Sequence, residues 1–474
     1  MTTELSPFRR LSNLISVAVD EIETVFETAH VPYPRLEDIF DPASPTEAIV
    51  RSPAILNQAK IIAATAGQLN ALVNVPFMTL MDIGLGIYVT SALRVASEGL
   101  IVEILRDHAQ GLHVDEIAAL NGMDPGKISR TLRCLATSHI FEEVSPNVFR
   151  NNRLSSSLDT GKTLDAIRAA PVQKHDGTPG LSAMVEHFGD EGMKSAAYLA
   201  EVWVDPVMGH RDSTKHALGL AFGIENPWEW FEEPQNKLRL ARFTVGMQST
   251  RKMEAPDANL RGFDWGTLPA ESVIVDVGGG TGHVLLSIAR AYPRLRYVLQ
   301  DREALIPKAQ EFWQGELPSA ITDGIVKFQA VDFFKVQPEK NAAVFILRQV
   351  LHDYNYAQAV GILSHLRAAA TKDTRLLIIE QVVQYACHDD IETPGDIAGL
   401  DNLRLPAVPP PLLPNLGRGN LFPYLADLHM GASTNGEERT IGAFQAISGG
   451  AGWKITEGFS VPGAYNKQIL AVPV

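Results

Sequence analysis

Leu351-His-Asp-Tyr354 carries the side chain best suited to moving a proton. A neutral imidazole titrates near neutrality and a phenol near 10, so His352 beside a hydroxyl could remove its proton as it reacts. Glu380, closing the next apolar run, could orient that imidazole and stabilise its cation. A second group of residues would hold a ligand. In Val273-Ile-Val-Asp-Val-Gly-Gly-Gly-Thr-Gly-His283 a buried run leads into glycines. Gly278, Gly280 and Gly282 allow a tight turn and close approach of the backbone to a ligand. The spacing is near the dinucleotide fingerprint but fails it: counted from Gly278, its third glycine would fall on His283. With Asp276 inside the strand end, the pattern is D-x-G-x-G-x-G. That form suits a nucleoside bearing a charged amino-acid tail rather than a pyrophosphate. Asp301 follows about 20 residues later, where a carboxylate accepts from ribose hydroxyls. Asp332, in Val331-Asp-Phe-Phe334, could accept from an adenine amino group, and Phe333 could pack on the ring. Each acid alone reads equally well as a helix cap. The three in order point to S-adenosylmethionine. Transfer of its methyl group is an in-line displacement, so the protein has mainly to align a nucleophile and remove its proton.

These residues need a scaffold that brings strand ends together. From Ser272 the chain alternates short apolar runs with helical patterns. Strands are expected over residues 273–277, 297–300, 325–330, 342–347 and 375–379, with helices over 284–291 and 356–370. Such alternation predicts an α/β fold, a doubly wound, mostly parallel sheet with helices on both faces. Tyr385–Asn420 interrupts it with Pro406, Pro409, Pro410, Pro411 and Pro414, and reads as a surface loop of polyproline character. His388-Asp-Asp390 there reads as a solvated turn rather than a metal cluster. Gly449-Gly-Ala-Gly452 joins a helix to a strand.

The N-terminal part is mostly helical. Residues 1–80 form a helical extension, 81–180 a winged-helix domain and 181–474 the ligand-binding domain. Helices over 93–106, 114–120 and 127–137 precede short strands at 140–144 and 148–151. This arrangement either binds DNA or serves as a scaffold for dimerisation. Helices over 185–250 carry Trp228, Trp230, Phe231, Phe243 and Met247, which line a pocket or fill a core between helices.

The chain has 474 residues, more than one core accommodates at roughly 100–200 residues per domain. It is 45% hydrophobic and 20% charged, with a net charge of −14. That balance argues against a nucleic-acid surface, which needs clustered Lys and Arg. Cys134 and Cys387 are too few for a disulfide scaffold or a four-thiolate metal site, and fit free thiols in a reducing cytoplasm. The first residues lack a signal-peptide core, and no run of 18 apolar residues occurs, so no membrane association is expected.

Together these motifs resemble the plant- and fungal-type S-adenosylmethionine-dependent O-methyltransferases. The resemblance rests on Asp276-Val-Gly-Gly-Gly-Thr-Gly282, Leu299-Gln-Asp301, Asp332-Phe-Phe334, Arg348, His352-Asp353, Glu380 and Asn435-Gly-Glu-Glu-Arg-Thr440, and covers the chain from about residue 80. It implies His352 as base, framed by Glu380 and Glu438. It implies a cofactor set of Asp276, Gly278, Gly280, Asp301, Arg302, Asp332, Phe333 and Arg348, with S-adenosylhomocysteine as product and no metal. Phe243 and Met247 match substrate-lining positions. The winged helix matches a domain that forms homodimers and has lost DNA binding. The Pro-rich stretch is similar to that of basidiomycete members, tied to secondary metabolism, so the expected substrate is a small aromatic metabolite. Tyr354 replaces a customary Trp. The resemblance also implies an alternative, since some fungal relatives use the sulfonium for pericyclic or elimination chemistry without methyl transfer.

Overall fold

The computed structural model describes residues 5–250, 254–255, 257–388 and 397–474. The chain divides into two compact units. The helical unit comprises Met1–Leu199, Leu218–Lys252 and Gly417–Gly419, and the sheet unit Ala200–Ala217, Met253–Leu416 and Asn420–Val474. The division differs from the expected boundary near residue 180, because most helices between 181 and 250 join the N-terminal ones.

In the helical unit, Ser6 caps α1 (Pro7–Ala29) and Ser52 caps α2 (Pro53–Val73), each accepting from a backbone N–H of the first turn. These two helices pack against each other. Then follow α3 (Pro76–Leu85) and α4 (Ile87–Glu98), separated at Gly86. The stretch Pro76–Glu98 has a hydropathy of 1.3, with 6% of its apolar window buried. By length and composition alone it could cross a membrane, which corrects the expectation that no segment could. Phe77, Leu80, Ile83 and Tyr88 are all more than 60% exposed. The expected helix over 93–106 breaks at Gly99, where Leu100 takes a left-handed φ of 54°. The winged helix is present: α5 (Val114–Asn121), α6 (Pro125–Thr137) and a small sheet in which β1 (Leu112–His113) and β2 (Glu142–Ser145) both pair with β3 (Val148–Arg150). On α6, the Arg133 guanidinium is held by Glu143 at 3.0 and 2.7 Å. Further on, α7 (Leu181–His187) runs into one π turn, Phe188–Gly192, and α8 (Lys237–Ser249) carries Arg242. Arg242 is 2% exposed and donates to Asp190 and Glu191, so a buried charge is paired rather than stranded.

The sheet unit is built on β4 (Val273–Val277), β5 (Arg296–Asp301), β6 (Val326–Ala330), β7 (Val344–Arg348), β8 (Arg375–Glu380), β9 (Trp453–Phe459) and β10 (Lys467–Pro473). They lie in the order β6-β5-β4-β7-β8-β10-β9. The first five are parallel, β10 pairs antiparallel with β8, and β9 pairs antiparallel with β10. Val-Ile-Val-Asp-Val and Val-Phe-Ile-Leu-Arg are near-continuous apolar runs because helices cover both faces. Among those helices are α9 (His283–Ala291), α10 (Ile306–Glu316), α11 (Tyr356–Ala369) and α13 (Ile441–Gly450), while α12 (Phe422–Thr434) lies against the turn that follows β7. Separate buried clusters form around Phe345, Leu363 and Trp453, and around Trp265, Leu285 and Trp313. Strand order reverses between β4 and β7, and the crevice outside the carboxyl ends at such a reversal is where ligands bind in open α/β sheets.

The Pro-rich stretch lacks regular strands or long helices in its described residues, as its prolines dictate, but it is not simply a surface loop. Leu403, Leu412, Asn415 and Leu416 are buried, and Ala398 bridges to Glu457 of β9. Of His388-Asp389-Asp390, the two acids lie outside the described residues.

Candidate active site

β4 delivers the glycine turn to the carboxyl edge of the sheet. Gly278 and Gly280 take φ of 73° and 60°, a region that costs an L side chain strain but not glycine. A Cβ on Gly278 would meet Val350 at 2.9 Å, whereas one on Gly280 would meet nothing within 4 Å. The loop therefore presents an open face at Gly280. Its N–H donates to Asp301 Oδ2 at 2.8 Å, and the Arg302 N–H donates to Oδ1 at 2.7 Å. Burial raises the Asp301 pKa against these two hydrogen bonds. Asp276 is 1% exposed, and its Oδ2 has no hydrogen-bond partner. Burial pushes this carboxyl up to about 7, although Arg348 opposes the rise. A carboxylate so placed calls for a cationic ligand group. Phe333 lies beside the loop, 3.5 Å from a Cβ built on Gly278. Arg348, at the end of β7, is 10% exposed and faces Glu254 at 3.5 Å. Asp332 stands apart. Its Oδ1 accepts from the Phe334 N–H at 3.0 Å, its Oδ2 faces Lys335, and the side chain is 48% exposed. In this structure it caps its own turn.

The second cluster begins one strand away. After β7, Gln349 takes a left-handed φ of 50° and turns the chain into a short 3-10 turn, Leu351–Asp353. His352 Nδ1 lies 2.7 Å from Glu438 Oε1, while Nε2 lies 3.8 Å from Asp353 Oδ1, beyond hydrogen-bonding reach. Burial would lower the imidazole pKa. The carboxylates of Asp353 and Glu438, with Glu380 behind, outweigh it and push the value up to about 10. Glu380 was expected to orient the ring, and the geometry corrects this. Its Oε1 accepts the backbone N–H groups of Val350 and Leu351 at 3.0 and 2.7 Å, so it holds the turn that carries His352. Burial raises Glu380 to about 7. Phe243 and Met247 lie on α8 of the helical unit. Phe243 stacks on Phe231 at 4.8 Å and meets His187 and Trp228 edge-on.

Comparison with known proteins decides the family. A model of the O-methyltransferase dimerisation domain matches residues 81–160, and one of the O-methyltransferase domain matches 204–400. An O-methyltransferase of Armillaria gallica is 37% identical over 99% of this chain and 100% of its own. The chain belongs to the O-methyltransferase family. The methyltransferase is also 38% identical to 4-O-methyltransferase 1 of Phanerochaete chrysosporium, over 95% of each chain. Mitomycin 7-O-methyltransferase shares its fold at a TM-score of 0.63 and 21% identity, over 86% of this chain and 100% of that one. So does a pericyclic reaction enzyme, at 0.64 and 19%, over 88% and 94%. The family fixes S-adenosylmethionine as the cofactor of the methyltransferase.

Three residues of the methyltransferase that frame His352 were not singled out from sequence. Arg439, fully buried, donates to the carbonyls of Leu351 and Tyr354 at 2.7 and 2.6 Å, bracing the turn from beneath. Asp427, on α12, accepts the Glu438 N–H at 2.8 Å, and burial raises its pKa to about 6. Gly436 lets the Asn435–Thr440 segment lie on the turn. A Cβ there would stand 2.0 Å from the His352 carbonyl oxygen, and the Glu437 N–H donates to that same oxygen at 2.9 Å. The signal for Arg439 and Gly436 was present in Asn-Gly-Glu-Glu-Arg-Thr. Asp427 had none, since nothing local in a helix marks a contact eleven residues away.

Proposed function

We propose that this methyltransferase moves a methyl group from S-adenosylmethionine to a hydroxyl of an aromatic, phenolic metabolite, with His352 as general base. The observation that carries this reading is the 2.7 Å contact between His352 Nδ1 and Glu438, made one strand from the glycine turn at the reversal of strand order. The cofactor would be held by Asp276, Gly278, Gly280, Asp301, Arg302, Phe333 and Arg348, with Asp332 at the rim. The unpartnered Asp276 oxygen and the open face of Gly280 support that set. Bound there, the cofactor supplies a methyl group activated by its sulfonium, and a positive charge that opposes the imidazolium form of His352.

The chain's own part is alignment and proton removal. Glu438 fixes the tautomer and ring plane of His352, so that neutral Nε2 takes the acceptor's hydroxyl proton, and Glu438 stabilises the resulting cation. Glu380 and Arg439 keep the turn in place and touch neither reactant. Phe243 and Met247 keep the substrate-lining role that the resemblance implies. The names of relatives, 4-O-methyltransferase 1 and 3-O-methyltransferase 2 among them, support oxygen as the accepting atom. The dimerisation domain and the exposed apolar face of α3 support a homodimer. Cys134 and Cys387, both free, suit the cytoplasm.

Incubation with methyl-labelled S-adenosylmethionine and a panel of phenols tests this reading. Labelled product and S-adenosylhomocysteine are expected. His352→Ala should lower turnover by about 10²–10⁴-fold, the usual worth of a positioned base. Turnover surviving within a few-fold would remove His352 from the base role. Conversion of substrate without S-adenosylhomocysteine would favour pericyclic or elimination chemistry.

A further inference from the structure

Beyond the cofactor set and the His352 cluster, the sheet unit carries a buried polar group at its active edge that the reaction as described leaves unused. β10 pairs antiparallel with β8 so that Lys467 stands opposite Glu380. Tyr465 and Asn466, just before that strand, therefore lie at the carboxyl edge of β8, the edge that carries the active site. Glu254 ties this corner down. It accepts the backbone N–H of Tyr465 at 3.1 Å and the Asn466 side-chain amide at 2.7 Å, and it faces Arg348. The Tyr465 ring meets Phe422, the first residue of α12, edge-on at 5.5 Å. The same helix carries Asp427, which holds Glu438.

The backbone of Tyr465 is thus fixed, yet its hydroxyl is buried and has no hydrogen-bond partner. A buried hydroxyl left unpaired is destabilising, so it is a group whose partner is worth seeking in a ligand. Oε2 of Glu438 and Oδ1 of Asn466, nearby on the same edge, are buried and unpaired in the same way. Burial, with the charges of Glu438 and Glu254, holds the phenol far above the ordinary tyrosine range. Tyr465 is therefore a donor at any working pH. A donor on the reacting oxygen would tie up the lone pair that attacks the methyl group, so the useful place for it is a different oxygen of the acceptor.

We infer that the Tyr465 hydroxyl donates a hydrogen bond to a second oxygen of the acceptor, adjacent to the one methylated, and so selects catechol-like rings over simple phenols. The inference rests on the phenolic reading of the site. Two contacts, His352 to one oxygen and Tyr465 to its neighbour, fix both the position and the rotation of the ring.

The test compares wild type and Tyr465→Phe on catechol and on phenol, with affinity for S-adenosylhomocysteine measured by calorimetry. Wild type should prefer catechol. In Tyr465→Phe the catechol-to-phenol ratio of kcat/KM should fall about tenfold, the worth of one hydrogen bond between substrate and site. S-adenosylhomocysteine affinity should stay within twofold, which also shows that the variant is folded. A ratio unchanged within twofold in an active variant overturns the inference alone. An equal loss on both acceptors with weakened S-adenosylhomocysteine binding overturns it in favour of a cofactor contact. Failure of the wild type to methylate either ring overturns the phenolic reading and the inference with it.

Discussion

His352 sits among Asp353, Glu438 and, one step back, Glu380, all with little exposure. One imidazole among three carboxyls is better described as a shared proton inventory than as an independent base. In the free protein the ring holds its proton well above neutrality, so the acid limb of kcat/KM, which reports the free enzyme, should lie above the ordinary histidine range. Glu438→Gln removes one of the charges that hold the proton and should shift that limb toward lower pH, by roughly one unit or more. A profile of kcat/KM against pH for both proteins checks this, and an unmoved limb would detach Glu438 from the base. The same shift governs stability. The folded pKa of His352 is raised from 6.5 to about 10, so its contribution is fully present below about pH 6.5 and is lost as pH rises through about 10. Asp276 and Glu380 are also raised, and their contribution falls over a lower window, from about pH 4 to about 7. Denaturant unfolding of the wild type should therefore show stability declining as pH rises from 7 to 10. In His352→Asn that upper decline should flatten.

At the scale of elements, the turn that carries His352 is a single short 3-10 turn and is held by what lies against it. Glu380 at the end of β8 takes its backbone N–H groups, Arg439 takes its carbonyls, and Gly436 allows the 435–440 segment to touch it. Gly436→Ala should force that segment away from the His352 carbonyl. A loss of about 1–3 kcal/mol in stability is expected, with turnover falling further than cofactor affinity. Thermal unfolding and kcat measured together check this, and a fully active Gly436→Ala would mean that the segment does not seat the turn. The parallel strands were legible because their apolar runs are nearly unbroken, and the glycine turn because its φ angles demand glycine. His352, Asp276 and Asp301 were legible for the same reason: each ends or follows such a run. The partner of Glu380 was not, because a carboxylate that accepts two backbone N–H groups looks in sequence like one that faces an imidazole. Tyr465 and Asp427 were hidden because β10 and α12 bring them to the site from the end of the chain. Asp332 shows the converse, a correct motif whose carboxylate serves its own turn.

At the scale of the whole molecule, α3 leaves Phe77, Leu80 and Ile83 in solvent where the chain enters the region matched by the dimerisation domain, residues 81–160. Exposed apolar area of this kind marks an association surface. Leu80→Glu with Ile83→Glu should convert a dimer to a monomer, read by light scattering at micromolar concentration, and an unchanged mass would place the interface elsewhere. The division of the chain has a consequence for how the protein is made and how it can be rearranged. The polypeptide leaves the helical unit after residue 199, returns at 218, leaves again after 252 and returns for Gly417–Gly419 alone. There Gly419 lies so close to α2 that a Cβ would stand 2.1 Å from the Lys60 carbonyl oxygen. No single cut in the gene yields either unit intact. During synthesis the N-terminal helices must wait for nearly all of the remaining chain before their last contact can form. Swapping specificity between relatives by joining the front of one to the back of another would therefore exchange parts of both units, and single-residue grafts such as those at Tyr465 or Phe243 are the less disruptive route.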